Sequence, residues 1–238
     1  MKNQYVGDIG DYGKYALLRA FASHYRIGVN WYLTENDQSN DGNMRAYLSN
    51  PSMRIYDPEL YDSMKRFNAP QHRDVALIES AGLISEAIFY SDILKSESLS
   101  VNERYQFRDT WHQQALKTLQ CADLVFCDPD NGPLGSKSVG NKQSEKFVSL
   151  AELSDYYNRG HNVVYYCQKA RRNDAQWERT KKEMLTKVSD ASIIVLTFHS
   201  IPQRSYIFVV HPCDKAKYRA IIDSFLQVWT GPFTEETV

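Results

Sequence analysis

Residues 121–135, CADLVFCDPDNGPLG, hold the pattern on which the fold turns. The apolar run Leu124-Val125-Phe126-Cys127 stops at Asp128-Pro129-Asp130-Asn131-Gly132, all residues that favour turns. A short unbroken apolar run fits a strand buried on both faces. A chain that alternates such runs with helical patterns builds a mainly parallel sheet covered by helices.

Outward from this strand the alternation continues. A helical pattern through Trp111, Ala115, Leu116 and Leu119 leads into it, and after it come a helix near 149–159, a strand at 161–167, a helix near 173–188 and a strand at 192–198. Towards the N-terminus, Tyr15, Leu17, Leu18 and Phe21 share a helical stripe, and the β-rich residues 27–34 run into a polar loop at 35–42. Residues 43–86 read as mainly helical, with breaks at Pro51, Pro58 and Pro70, and residues 87–90 as a short strand. The link from the strand at 192–198 to Tyr206-Ile207-Phe208-Val209-Val210 is too short for a crossover helix, so these two strands are expected to pair antiparallel at one edge. A last helix near 214–228 closes the domain. The expectation is a single α/β domain over residues 1–238: Rossmann-like, three-layered, mainly parallel, with an antiparallel C-terminal edge strand.

Composition narrows the function classes. The 238 residues are 42% hydrophobic and 24% charged, which suits one large globular domain and excludes disordered or fibrous classes. With a formal net charge of −1 there is no global basic field, so a polyanion has to be held by a local patch. Cys121, Cys127, Cys167 and Cys213 form no CxxC pair and no zinc-like spacing with histidine, and they read as reduced core residues. No apolar stretch approaches the roughly 18 residues of a membrane span. The start MKNQYVGDIG lacks the pattern of a signal peptide. A cytoplasmic protein without a membrane partner is expected, its oligomeric state open.

In open α/β sheets the ligand crevice lies outside the carboxyl ends of the strands. That rule gathers four loops on one rim: residues 34–42 with Asp37 and Asp41, residues 128–135, residues 168–172 with Gln168, Lys169, Arg171 and Arg172, and residues 199–204 with His199 and Arg204. A second constellation, Gly7-Asp8-Ile9-Gly10-Asp11-Tyr12-Gly13-Lys14, places Asp8, Asp11 and Lys14 at the start of the first helix, facing an anion or sugar. Its plainer reading is a cap by Asp11 with glycines shaping a turn. Lys169, Arg171 and Arg172 lie in the densest basic stretch and suit phosphate contacts. The helix beyond them, with Trp177, reads as a solvated face over the core.

The order of an N-terminal helix, a strand ending in Glu or Asp, a strand ending in Asp128-Pro129 and a terminal β-hairpin resembles Rossmann-like methyltransferases of the DPPY type, which modify exocyclic amino groups of nucleic-acid bases. Residues 7–14 are similar to the N-terminal stretch of bacterial ribosomal RNA adenine methyltransferases. The DPDNG signature resembles that of an uncharacterised bacterial family, which implies no activity. The methyltransferase resemblance implies S-adenosylmethionine as cofactor and a nucleic-acid base as substrate. Two departures stand out: the loop TENDQSNDG has one glycine, at its end, and Asn131-Gly132 replaces the aromatic that stacks on the target base.

A reaction that carboxylates and an amide perform without a cofactor is hydrolysis of an N-glycosidic bond. Asp128 or Asp130 would activate water or stabilise the sugar cation, and Asn131 would hold a base edge. The expected function is therefore a nucleic-acid- or nucleotide-directed hydrolase, glycosylase-like, serving DNA repair or antiviral defence. Asp128, Asp130, Asn131, Asp8 and Asp11 are its candidate catalytic residues. Lys14, Asp37, Asp41, Gln168, Lys169, Arg171, Arg172, His199 and Arg204 are its candidate substrate contacts. Three alternatives stay open: an S-adenosylmethionine-dependent methyltransferase, a Mg-dependent nuclease or phosphodiesterase with Mg held by the aspartates, and a non-catalytic binding module in which DPDNG is turn chemistry alone.

Overall fold

A computed structural model describes every residue except 38, 97, 136, 170 and 171. Its strands are Ile27–Asn30 (β1), Ile88–Tyr90 (β2), Leu124–Cys127 (β3), Asn162–Cys167 (β4), Ser192–Phe198 (β5), Arg204–Val210 (β6) and Phe233–Glu236 (β7). The α-helices are Ile9–Ala22 (α1), Pro58–Met64 (α2), Val75–Ser80 (α3), Val101–Thr118 (α4), Leu150–Asn158 (α5), Asp174–Lys182 (α6) and Lys215–Val228 (α7). One sheet runs in the order β2-β1-β3-β4-β6-β5-β7. β2, β1, β3 and β4 are parallel, while β6 is antiparallel to both β4 and β5, which makes β5 run with the parallel set.

Burial explains the strand composition. Every residue of β1, β3, β4 and β6 is buried, which their largely apolar runs suit, with Asn30, Asn162, Arg204 and Ser205 buried as polar residues at strand ends. Alternate side chains feed two cores. One packs Leu124, Phe126, Val164 and Phe208 against Tyr12, Tyr15 and Phe21 of α1 and Tyr218 and Ile222 of α7. The other packs Val125, Cys127, Val163 and Tyr165 against Trp111, Leu153, Tyr156 and Trp177 of α4, α5 and α6.

Several local expectations are corrected. β5 and β6 do pair antiparallel, but they are not the edge: β7 adds beyond β5, pairing Phe198 with Phe233. Pro51, Pro58 and Pro70 open short helical segments rather than break them, each standing in the first turn where its missing N–H has no partner to lose. Cys121 and Cys213 are exposed, and only Cys127 and Cys167 lie in the core. No helix of the described residues is long and apolar enough to cross a membrane.

The first helix begins at Ile9, five residues before Lys14, and its glycines serve close packing. A Cβ on Gly10 would come 2.2 Å from Nε of Arg204, and one on Gly13 2.7 Å from the Phe198 ring. These two positions let α1 lie directly over the end of β5 and the start of β6. The strand order reverses between β1 and β3, since the chain leaves β1 for β2 on one side and returns to β3 on the other. Such a switch point is where open α/β sheets hold their ligands.

Candidate functional site

A cavity of about 580 Å³ opens at this switch point. Asp128 and Asp130 reach it from the end of β3, Asp8, Asp11 and Lys14 from the start of α1, and Arg204 and Tyr206 from β6. Tyr166 and Gln168 enter from the end of β4, and Asp37 and Asp41 from the loop after β1. Asn131, Tyr5, Gln143 and Lys146 also line the cavity. The carboxyl-end loops thus meet the N-terminal constellation in one place.

The charges here are paired in a fixed pattern. Lys14 Nζ lies 2.8 Å from Asp11 Oδ1 and 2.6 Å from Asp128 Oδ2, and all three side chains are buried. Burial alone would lower the Lys14 pKa, but the two carboxylates hold it above its ordinary value. Burial pushes the Asp128 carboxyl up, against the pull of Lys14 and the Met1 amine. Asp8 caps α1 by accepting the Asp11 N–H at 3.0 Å, and its other oxygen takes the Arg204 guanidinium at 3.0 Å. Its carboxyl too is raised by burial, with Arg204 opposing. The cap is therefore Asp8, not Asp11. Asp11 accepts from the Gly7 N–H at 3.0 Å and turns its other oxygen to Lys14.

The chain's first residues lie along the end of β1. Thr34 N–H donates to Met1 O at 2.9 Å, and the Met1 amine donates to the carbonyls of Tyr32 at 3.1 Å and Asp128 at 3.0 Å. The amine nitrogen is 2.7 Å from Asp130 Oδ1, close as an ion pair but not aligned as a hydrogen bond. Tyr32 has φ 45°, a left-handed backbone that a bulky residue rarely adopts and that is found at binding sites more often than elsewhere.

The loop after DPDNG is braced from behind. Asn131 N–H donates to Lys146 O at 3.0 Å and Leu134 N–H to Val148 O at 2.8 Å. The buried Arg108 guanidinium grips Glu152 at 2.6 Å and donates to the carbonyls of Ser144 at 3.0 Å and Phe147 at 2.6 Å. Against burial, which would raise it, Arg108 draws the Glu152 carboxyl down to about 2. Gly132, at φ 86°, makes the turn, and a Cβ there would meet Cys167 Sγ at 2.9 Å and its Cα at 3.0 Å. Gly132→Ala is expected to cost about 2–4 kcal/mol, combining left-handed strain with overpacking. Urea denaturation checks it, and a loss under about 0.5 kcal/mol, the scale of an ordinary surface change, would mean that the loop yields.

The structure brings together Asp8, Asp11, Lys14, Asp37, Asp41, Asp128, Asp130, Asn131, Gln168 and Arg204. It does not bring in Lys169, Arg172 or His199. Lys169 lies over the ring of buried Trp177, with its ammonium 5.9 Å from the ring centroid, and Arg172 donates to the carbonyl of Gln168. Exposed His199 bonds Thr234 at 2.7 Å and Gln203 at 3.1 Å, tied to the added edge strand β7. Arg171 lies outside the described residues. Tyr166 and Tyr206 were missed, because a tyrosine inside an apolar strand reads as core whether or not its hydroxyl borders a cavity. Tyr5 was missed as well; its only signal was its place two residues before the glycine-aspartate run.

No group of three or more His, Cys, Asp or Glu among the described residues is arranged to hold a metal ion, and Lys14 fills the space between Asp11 and Asp128. Among the described residues six carboxylates line the cavity against four side-chain cations and the Met1 amine, with Lys2, Lys14, Arg204 and the amine already paired, so the cavity holds dense, largely matched charge with a small acidic excess. No family model and no curated protein matches the chain. Among solved structures, the crystal structure of protein LPL1258 from Legionella pneumophila, described by the family model DUF519, is similar over 97% of this chain and 96% of that one, with a TM-score of 0.50 and 11% identity, a likeness of fold alone.

Proposed function

We propose that this cavity is the active site of an enzyme acting on a nucleoside or nucleotide base, and that it hydrolyses the N-glycosidic bond. The observation that carries the reading is the convergence of Asp128, Asp130 and Asn131 with Asp8 and Asp11 in an acid-rich cavity at the switch point. Breaking a glycosidic bond builds positive charge on the sugar, and fixed carboxylates in a low-dielectric cavity stabilise it. In the reaction, water oxygen bonds to C1′ as the C1′–N bond breaks. The bonding electron pair leaves with the base, and the proton lost by water passes to a carboxylate and from it to the departing base. Asp130 is the better acceptor, since the Asp128 carboxylate takes a hydrogen bond from Lys14 at 2.6 Å, whereas Asp130 Oδ1 faces the Met1 amine at 2.7 Å without an aligned hydrogen bond. Asn131, its backbone fixed by Lys146, offers an amide to a base edge. A base within duplex DNA would have to leave the stack to reach this cavity.

Methyl transfer is the second reading, favoured by the order of elements: α1 before β1, Asp128-Pro129 after β3, and the β5–β6 hairpin. The donor set fits S-adenosylmethionine in charge, because carboxylates and backbone carbonyls suit a cationic cofactor. Bound there, the cofactor would supply an electrophilic methyl group. This chain's Asp130 would hold its positive charge, the Asp128 carboxylate being taken by Lys14, and Asn131 would orient the accepting amine.

Reaction conditions separate the readings. The hydrolase works without S-adenosylmethionine and in EDTA. The methyltransferase shows calorimetric binding of S-adenosylmethionine and turns over only with it, and a Mg-dependent nuclease stops in EDTA. A binding module turns nothing over, and its biological effect survives Asp130→Asn.

A further inference from the structure

We infer that the cavity takes a nucleoside bearing a single phosphate, with Lys146 at the mouth receiving the phosphate and the Tyr206 hydroxyl at the floor bonding the nucleoside; this rests on reading the cavity as a nucleoside site. Most of the lining side-chain cations are already neutralised. Lys2 is paired with Asp37, Lys14 with Asp11 and Asp128, and Arg204 with Asp8. Half-buried Lys146 has no carboxylate partner among the described residues, so it is the lining side-chain cation left to meet a ligand anion.

Lys146 is not a loosely tethered loop lysine. Its carbonyl accepts the Asn131 N–H, and the carbonyls on either side, of Ser144 and Phe147, are both held by the Arg108 guanidinium. The buried Arg108–Glu152 pair thereby fixes the backbone from which the Lys146 side chain extends, next to the DPDNG turn. A lysine is a compact point charge well suited to a phosphate. No other lining side-chain cation among the described residues is unpaired, so a second or third phosphate gains no charge partner here.

Tyr206 supplies the independent sign of a ligand. It lies in β6 opposite Tyr166 of β4, its residue is fully buried, and it borders the cavity. Its hydroxyl oxygen is shielded from solvent and has no hydrogen-bond partner among the described residues. A buried hydroxyl left unpaired costs about 1–3 kcal/mol, and a ligand group that reaches it recovers that cost on binding. Half-buried Tyr5 lines the same cavity, with the Lys2 ammonium 5.5 Å from its ring centroid.

Calorimetric titration of nucleosides, their 5′-monophosphates and their 5′-triphosphates, over the common bases, tests this with the intact wild type, Lys146→Ala and Tyr206→Phe. The wild type is expected to bind a monophosphate about tenfold more tightly than its nucleoside, from one charge-assisted contact, and the triphosphate no more tightly than the monophosphate. Lys146→Ala should erase the monophosphate preference and leave nucleoside affinity in place. Tyr206→Phe should weaken nucleoside and monophosphate alike, by about fivefold or more, while the melting temperature of the free protein does not fall, because the lost hydroxyl bonded nothing. Equal affinity for nucleoside and monophosphate, or a preference that persists in Lys146→Ala, overturns the inference and leaves the nucleoside reading standing. A Tyr206→Phe variant that melts several degrees lower places that hydroxyl in folding and overturns its role at the floor. No binding by any member of the panel overturns both the inference and the reading beneath it.

Discussion

Lys14→Met is expected to lower the unfolding free energy by about 3–5 kcal/mol at neutral pH, the largest stability loss of any single change at the site. The reason is what remains behind. Lys14 stands 2.8 Å from Asp11 and 2.6 Å from Asp128, with side-chain exposures of 6%, 3% and 6% for Lys14, Asp11 and Asp128. Deleting the ammonium strands two carboxylates away from water, and an uncompensated buried charge costs far more than the pair contributes. The loss should also depend on pH in a definite direction. Burial already holds the Asp128 carboxyl above its ordinary value, and without Lys14 it rises further. Between the ordinary carboxyl pKa, about 3.9, and that raised value, the folded state keeps a proton that the unfolded state has released. Stability therefore falls as pH rises through this window, so the deficit of Lys14→Met should be smaller at pH 5 than at pH 8. Urea denaturation at the two pH values measures both effects. A deficit below about 1 kcal/mol that does not change with pH would mean that water reaches the cluster.

Asp130→Asn and Asp128→Asn should separate. Asp130→Asn is expected to keep the fold and lower turnover by roughly 10³ or more, the effect of neutralising a carboxylate that supports transition-state charge. The flanking residues of Pro129 point differently. Asp128 is turned onto Lys14, and its backbone N–H donates to Asn30 O at 2.9 Å. Asp130 stands beyond the strand end beside Asn131, with the Met1 amine as its neighbour. Asp128→Asn should therefore appear first as lost stability or weakened binding, since Lys14 keeps only Asp11 as a full charge partner. Measured rates and melting curves of both variants decide this. Two folded variants near wild-type rate would reduce DPDNG to a turn.

The fold was largely legible because it rests on burial. Runs such as Leu124-Val125-Phe126-Cys127 are apolar on both faces, and the short link before Tyr206 forces a reversal. β7 was not legible: of Phe233-Thr234-Glu235-Glu236 only Phe233 is buried, and an edge strand needs no longer apolar run. The site was legible as a set of residues but not as a network. Lys14 read as a cation awaiting an anionic ligand, and it is instead neutralised by Asp128, 114 positions away in sequence. Arg204 was named without its partner, since only α1 crossing over β6 brings Asp8 within 3.0 Å. The glycines at 10 and 13 looked like turn makers because their real constraint, space for Arg204 and Phe198, comes from the far end of the chain. Lys169 and Arg172 read as a phosphate patch because charge density is visible in sequence, whereas the Trp177 ring and the Gln168 carbonyl that engage them are visible only in space.

The most direct test is mass analysis of a nucleoside and nucleotide mixture, and of DNA, after incubation with wild-type protein and with Asp130→Asn in parallel. N-glycosidic hydrolysis at this cavity predicts free base and the matching sugar from the wild type, formed in EDTA without added S-adenosylmethionine, and a release slower by roughly 10³ from the variant. Methylated base formed only with S-adenosylmethionine, chain ends formed only with Mg, or free base released equally by both proteins would contradict it.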